Sequence, residues 1–151
     1  SYSDYKSLQI RMVTRYDTQG FASNYMNFNA DEGANYTTHR LQGNGSSVGS
    51  ANFGTEDYIR LGDTERLTDS VADSFGTSII DIYDFASTTK TTTSRVLNGR
   101  TGGVSGGSPR INLNSGLWTS TAAVTSISFG LPTVGYVNYV AGSRFSLIGV
   151  R

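Results

Sequence analysis

The chain has 151 residues, a formal net charge of zero from 12 basic and 12 acidic side chains, one histidine and no cysteine. Its length favours one domain, since domains commonly run roughly 100–200 residues, and a domain of that size buries about two-thirds of its unfolded surface without staples. Disulfide frameworks, zinc–thiolate sites and cysteine nucleophiles are excluded, the balanced charge leaves no basic stripe for nucleic acid or an anionic membrane, and no apolar run approaches the ~20 residues that cross a bilayer.

Charged residues make up only 16% of the chain, against about 25% in ordinary soluble domains. Low charge gives little colloidal repulsion and points to a protein that lives in an assembly. Ser1 to Lys6 lacks the basic and apolar regions of a signal peptide.

Gly, Ser, Thr and Asn are abundant, which disfavours helix and suits strands joined by turns. In chain order, Leu8, Ile10 and Met12 alternate with polar neighbours and predict a half-buried strand. Tyr25 to Phe28 predicts a second, closed by a turn over Asn29 to Gly33, and Tyr36 to Leu41 a third. Gly43 to Phe53 reads as a polar loop, and Tyr58 to Leu61 as a short strand. Gly62 to Ser74 is the best helical candidate, and it also reads as a loop. Ser78 to Tyr83 is strongly β-branched, and Thr88 to Leu97 is a Thr/Ser ribbon. A second loop, Asn98 to Pro109, has five glycines in twelve residues. Arg110 to Leu113 with Trp118, Val124 to Phe129 and Ser143 to Val150 complete about nine strands. Short strands with turn signals and no alternating helices predict an all-β sandwich or barrel with one domain spanning residues 1–151. Phe28, Phe75, Phe129, Phe145 and Trp118 are expected in its core.

Catalytic signatures are weak. Gly45-Ser46-Ser47-Val48-Gly49 and Gly103-Val104-Ser105-Gly106-Gly107 match the nucleophile-elbow spacing, but neither is followed by the helix an elbow needs. His39 is the only histidine and lies in a predicted strand. Asn27, Asn29 and Asp31 have calcium-loop spacing, yet Glu32 stands where the loop needs Gly and Thr38 where it needs Glu. Glu56-Asp57 and Asp63 with Glu65 read as solvated loop charge. No phosphate cradle is present, and no cofactor or metal is expected. The candidate contacts with a partner or a glycan are Tyr136, Asn138 and Tyr139 in the last loop, with Asn98, Arg100 and Arg110 around the glycine-rich one. Tyrosine offers a large amphipathic area at low entropic cost.

The final third has the most specific pattern. Trp118-Thr119-Ser120-Thr121-Ala122-Ala123-Val124-Thr125-Ser126-Ile127-Ser128-Phe129 precedes Tyr139-Val140-Ala141-Gly142-Ser143-Arg144-Phe145-Ser146-Leu147-Ile148-Gly149-Val150. This resembles the closing hairpin of small jelly-roll modules in virion proteins of tailed bacteriophages, with Ile148 where those modules carry Tyr. Tyr5 to Arg15 resembles their opening strand, and Asn27 to Gly45 their second hairpin. The resemblance implies a jelly roll of about eight or nine strands without enzymatic activity. It implies a capsid decoration or cement protein on the outer surface of the head, a homotrimer whose partner is the major capsid protein. The alternative it leaves open is a tail-fibre or baseplate module that binds a host-surface glycan. The final strand is expected to turn Phe145 and Leu147 to the core and to close an open sheet edge.

Overall fold

A computed structural model describes residues 4–17, 23–66, 73–102, 109–130 and 138–151. Eleven strands occur among them: β1 (Ser7–Tyr16), β2 (Ser23–Phe28), β3 (Tyr36–Gly43), β4 (Val48–Glu56), β5 (Ile59–Asp63), β6 (Glu65–Arg66), β7 (Gly76–Tyr83), β8 (Thr92–Arg100), β9 (Arg110–Trp118), β10 (Ile127–Gly130) and β11 (Arg144–Val150). A broad sheet runs β11-β1-β7-β8-β9-β3-β4, with the two-residue β6 lying parallel beside the end of β1. A three-stranded sheet, β10-β2-β5, packs on one face of it. The architecture is the expected antiparallel sandwich, with more strands and two sheets of very unequal width. Its ladders nest from the ends inward, β1 with β11, β2 with β10 and β3 with β9.

Two segments depart from the sequence reading. The polar stretch Gly43–Phe53 is mostly strand: β4 pairs with β3 from Val48 onward. A tight turn permits this, in which the Asn44 carboxamide oxygen accepts hydrogen bonds from the Ser46 and Ser47 amides at 3.0 and 2.7 Å. The ladder to β3 outweighs the poor strand propensity of Gly and Ser. Gly62 to Arg66, read as a candidate helix start, belongs to β5 and β6, and residues 67–72 of that candidate lie outside the described ones.

The core lies between the sheets. Leu8, Ile10 and Met12 from β1, Ile80 and Ile82 from β7 and Val96 from β8 meet Met26 and Phe28 from β2 and Ile59 and Leu61 from β5. Period-two geometry puts each set on one face of its strand. Trp118 anchors the far end, its ring 5.5 Å from Phe28 and stacked 6.3 Å from Tyr36. Its indole N–H donates to the Asp31 carboxylate at 2.7 Å, and Tyr36 donates to the Asp31 carbonyl at 3.0 Å. The turn between β2 and β3 is thereby tied to β9. Burial pushes the Tyr36 hydroxyl up to about 12.

Part of the core is polar. Asn98, Asn112 and Asn114 are buried between the sheets. The Asn112 side-chain amide donates to the Asn98 carboxamide oxygen at 2.9 Å, Asn114 donates to the Arg60 carbonyl at 2.8 Å, and Asn98 donates to the Asp63 carbonyl at 2.9 Å. The last two bonds seat β5 on β8 and β9. Between them lies Gly62, whose φ of 106° favours glycine and whose Cβ, were there one, would fall 2.5 Å from the Asn98 oxygen. Gly62→Ala should therefore combine left-handed backbone strain with overpacking and lower stability by about 2–4 kcal/mol. Urea denaturation checks this, and an unchanged midpoint would show that β5 is not seated this way.

Candidate interaction surface

The other face of the broad sheet has no second layer among the described residues. Register aligns Leu41, Leu113, Leu97 and Ile79 directly across β3, β9, β8 and β7. Their side chains are 50%, 51%, 52% and 40% exposed, so one cross-strand row presents four large apolar side chains to solvent. On one side of the row, Gly43, Ile111, Gly99 and Thr77 align. Ile111 projects, 64% exposed, and the space above Gly99 is open, because a Cβ there would meet nothing within 4 Å. A hollow of about 650 Å³ begins here, bordered by Phe75, Arg100 and Arg110. On the other side, His39, Ser115, Arg95 and Asp81 align, and Gln9 donates to the Asp81 carboxylate at 2.9 Å.

The phase of this face inverts what alternation alone suggests for β9. Ile111 and Leu113 face out, whereas Asn112 and Asn114 face in. The buried asparagines use their side-chain N–H groups to bond Asn98 and the Arg60 carbonyl, while the carboxamide oxygens of Asn112 and Asn114 are buried without a partner among the described residues. A run in which apolar residues alternate with asparagine, opposite another asparagine strand, is the signal that sequence reading missed.

The candidate contact residues fall in different places. Asn98 is a core residue, 1% exposed, and is not part of the surface. Its strand neighbours require the inward phase, since Ser94 and Val96 also point inward. Arg100 and Arg110 face each other across β8 and β9 at the rim of the hollow, and Arg110 pairs with Asp63 at 3.0 Å. Tyr136 lies outside the described residues. Asn138 is clamped to Asp17, its backbone N–H donating to the carboxylate at 2.8 Å and its side-chain amide at 3.0 Å, which holds the Asp17 carboxyl below its usual range. Tyr139 stacks on Tyr16 with ring centroids 4.7 Å apart, and both hydroxyls donate to the Asn24 carboxamide oxygen, at 3.0 and 2.9 Å. These two residues fasten the chain before β11 onto β1 and β2.

The final strand corrects an expectation. Phe145 and Leu147 do point to the core side, opposite Met12 and Ile10, but they remain 44% and 63% exposed. The three-stranded sheet ends at β10, leaving an apolar groove of about 330 Å³ lined by Ile127, Phe129, Phe145 and Leu147. Among the described residues β11 pairs only with β1, so it forms an edge of the sheet and does not close one. Phe75 and Phe129 are half-buried, while Phe28 and Trp118 are in the core as expected.

The polar groups weighed for chemistry are engaged elsewhere. Glu56 pairs with Arg60, and Glu65 accepts the Thr101 and Gly102 amides at 2.8 and 3.1 Å. Ser47 of the first elbow-like stretch bonds Asn44, and Gly103 to Gly107 lies outside the described residues. His39 is exposed on β3. No group of three or more metal-ligating side chains occurs among the described residues. Comparisons with family models, curated proteins and solved structures find no match to this chain.

The tyrosine pair makes a pH-dependent fastening. Burial, then the adjacent Tyr139 hydroxyl, pushes Tyr16 far above the ordinary value near 10, and burial also raises Tyr139. The folded state holds these protons more tightly than the unfolded chain. Their stabilisation is therefore complete below about pH 10 and is lost as pH rises beyond it. Tyr16→Phe should cost about 1 kcal/mol at neutral pH through the lost hydrogen bonds and flatten the alkaline fall in stability. Thermal melts at pH 7 and above pH 10 measure both, and an alkaline fall as steep as in the wild type would refute the assignment.

Proposed function

We propose that this chain is a structural protein of a tailed-bacteriophage virion: a capsid decoration or cement protein, acting as a homotrimer that binds the major capsid protein on the outer surface of the head. The single observation that carries the reading is the uncovered row Leu41–Leu113–Leu97–Ile79. A contiguous apolar patch on a soluble domain usually marks a contact surface. Here it lies on a rigid sheet in a chain of zero net charge, which suits packing among neighbours. Decoration works through many modest contacts repeated over a lattice, and a flat apolar face supplies such contacts without a tight pocket. The resemblance of Trp118 to Val150 to phage jelly-roll modules supports the same placement. A tail-associated glycan-binding module is the second reading. It is favoured by the hollow where Phe75 borders Arg100 and Arg110, a ring for stacking beside guanidinium donors.

Antibody against the chain, imaged on virions made from the genome that encodes it, should label the head shell at regular positions. Label confined to the tail, with saturable sugar binding on a glycan array, supports the second reading, and unlabelled particles contradict both. Leu113→Glu should weaken binding to undecorated shells about tenfold, a loss of about 1.4 kcal/mol, in co-sedimentation.

A further inference from the structure

The outer face of the broad sheet is complementary to itself. Consider a two-fold axis parallel to the strands and midway between β8 and β9. It lays β9 of one copy on β8 of the other, and β3 on β7, without shifting the cross-strand rows. The register then decides what meets what. Leu113 faces Leu97 of the second copy, and Leu41 faces its Ile79, so every member of the apolar row meets an apolar side chain. In the next row Ile111 faces Gly99 of the second copy, a projecting side chain over an open hole, and the fit occurs twice by symmetry. In the third row His39 faces Asp81 and Arg95 faces Ser115, so a hydrogen-bond donor meets a carboxylate and no like charges oppose each other. Moving the axis by one strand destroys the match: between β7 and β8 it would set Leu113 against Arg11 and Leu41 against Ser146.

From this charge and shape complementarity we infer that the outer face of β3, β9, β8 and β7 is a two-fold contact between copies of this chain. Its size sets its strength. Four strands about 4.8 Å apart and seven residues at about 3.3 Å each cover roughly 19 by 23 Å, on the order of 400 Å² per copy in projection. A stable dimer buries about 800 Å² per partner. The contact is therefore weak in solution and gains strength by repetition. The sheets' own twist sets the stacked strands about 30° apart, which leaves the match closest along β8 and β9. On a shell, where two-fold axes separate neighbouring three-fold positions, such a contact links one decoration trimer to the next. The inference names the occupant of the face used above and rests on that face being a protein contact, but not on the virion.

The test uses the isolated chain, so its failure is distinct from a failure to label virions. The chain has no cysteine, and introduced thiols therefore report only on each other. Within one copy, positions 41 and 79 lie three strand spacings apart, about 14 Å, twice the ~7 Å limit for a disulfide. Across the two-fold they are opposite, about 10 Å apart between stacked sheets, beyond a direct disulfide but within reach of a short bismaleimide. Treated with that cross-linker, Leu41→Cys/Ile79→Cys should run as a covalent pair on denaturing electrophoresis, and so should a mixture of the two single variants. Neither single variant should do so alone. Light scattering of the wild type should show a particle mass that rises with concentration above that of Leu97→Glu, an exposed change that should leave circular dichroism unaltered. The inference is overturned if a single variant cross-links as well as the double, if wild type and Leu97→Glu have the same mass at every concentration, or if no variant cross-links.

Discussion

Three buried asparagines set the phase of the broad sheet. Asn112 bonds Asn98, and Asn98 and Asn114 bond the Asp63 and Arg60 carbonyls of β5. A one-residue slip of β8 and β9 would turn the asparagines to solvent, where water satisfies them, but would strip the Arg60 and Asp63 carbonyls of their donors; a buried polar group left unpaired costs about 1–3 kcal/mol, which disfavours the slip. The same slip would bury Leu97, Leu113 and Ile111, which hydrophobicity alone favours. The polar network wins because it also places the second layer: without the carbonyls of Arg60 and Asp63 on those amides, β5 has no fixed seat. The apolar outer row is thus a consequence of the polar core.

A sheet of this width needs cover on one face, and three strands supply only part of it. The cover is closest over β8 and β9, against which β5 packs. It stops short of β11, which leaves Phe145 and Leu147 half in solvent. Tyr16, Tyr139 and Asn24 compensate at that end by bonding the start of the final strand to β1 and β2. The result is a stiff plate with two apolar regions, the outer row and the β10–β11 groove. Glu56 with Arg60, Asp63 with Arg110 and Asp84 with Lys90 form ion pairs. Such a plate is suited to contact with other proteins, and its low charge leaves that contact unopposed.

Much of the fold was legible. Ser78–Tyr83, Arg110–Leu113 and Ser143–Val150 announced strands because apolar and polar residues alternate there between turn residues, although β9 runs on to Trp118. β4 was hidden, since Gly, Ser and Asn have little strand propensity of their own and the segment is strand only because β3 offers a ladder. The outer row was hidden for a different reason. Period two shows that a strand has two faces, but the face that meets the second layer is chosen by long-range bonds such as Asn114 to Arg60, 54 residues apart. Asn98 was misplaced for the same reason: it reads as the start of a polar loop, yet its amide lies at the centre of the network.

Neighbouring residues on β7 allow the most direct test of this account. Ile79 is 40% exposed on the outer face, and Ile80 is fully buried on the inner one. Methyl-labelled protein at low concentration, titrated with a soluble paramagnetic agent, reads this difference residue by residue. Fast relaxation at Ile79, Leu97 and Leu113, with Ile80, Ile82 and Leu61 unaffected, is the predicted result. If Leu97 and Leu113 are as protected as Leu61 in the dilute protein, the leucines lie inward, the asparagine network is not the core, and the account is wrong.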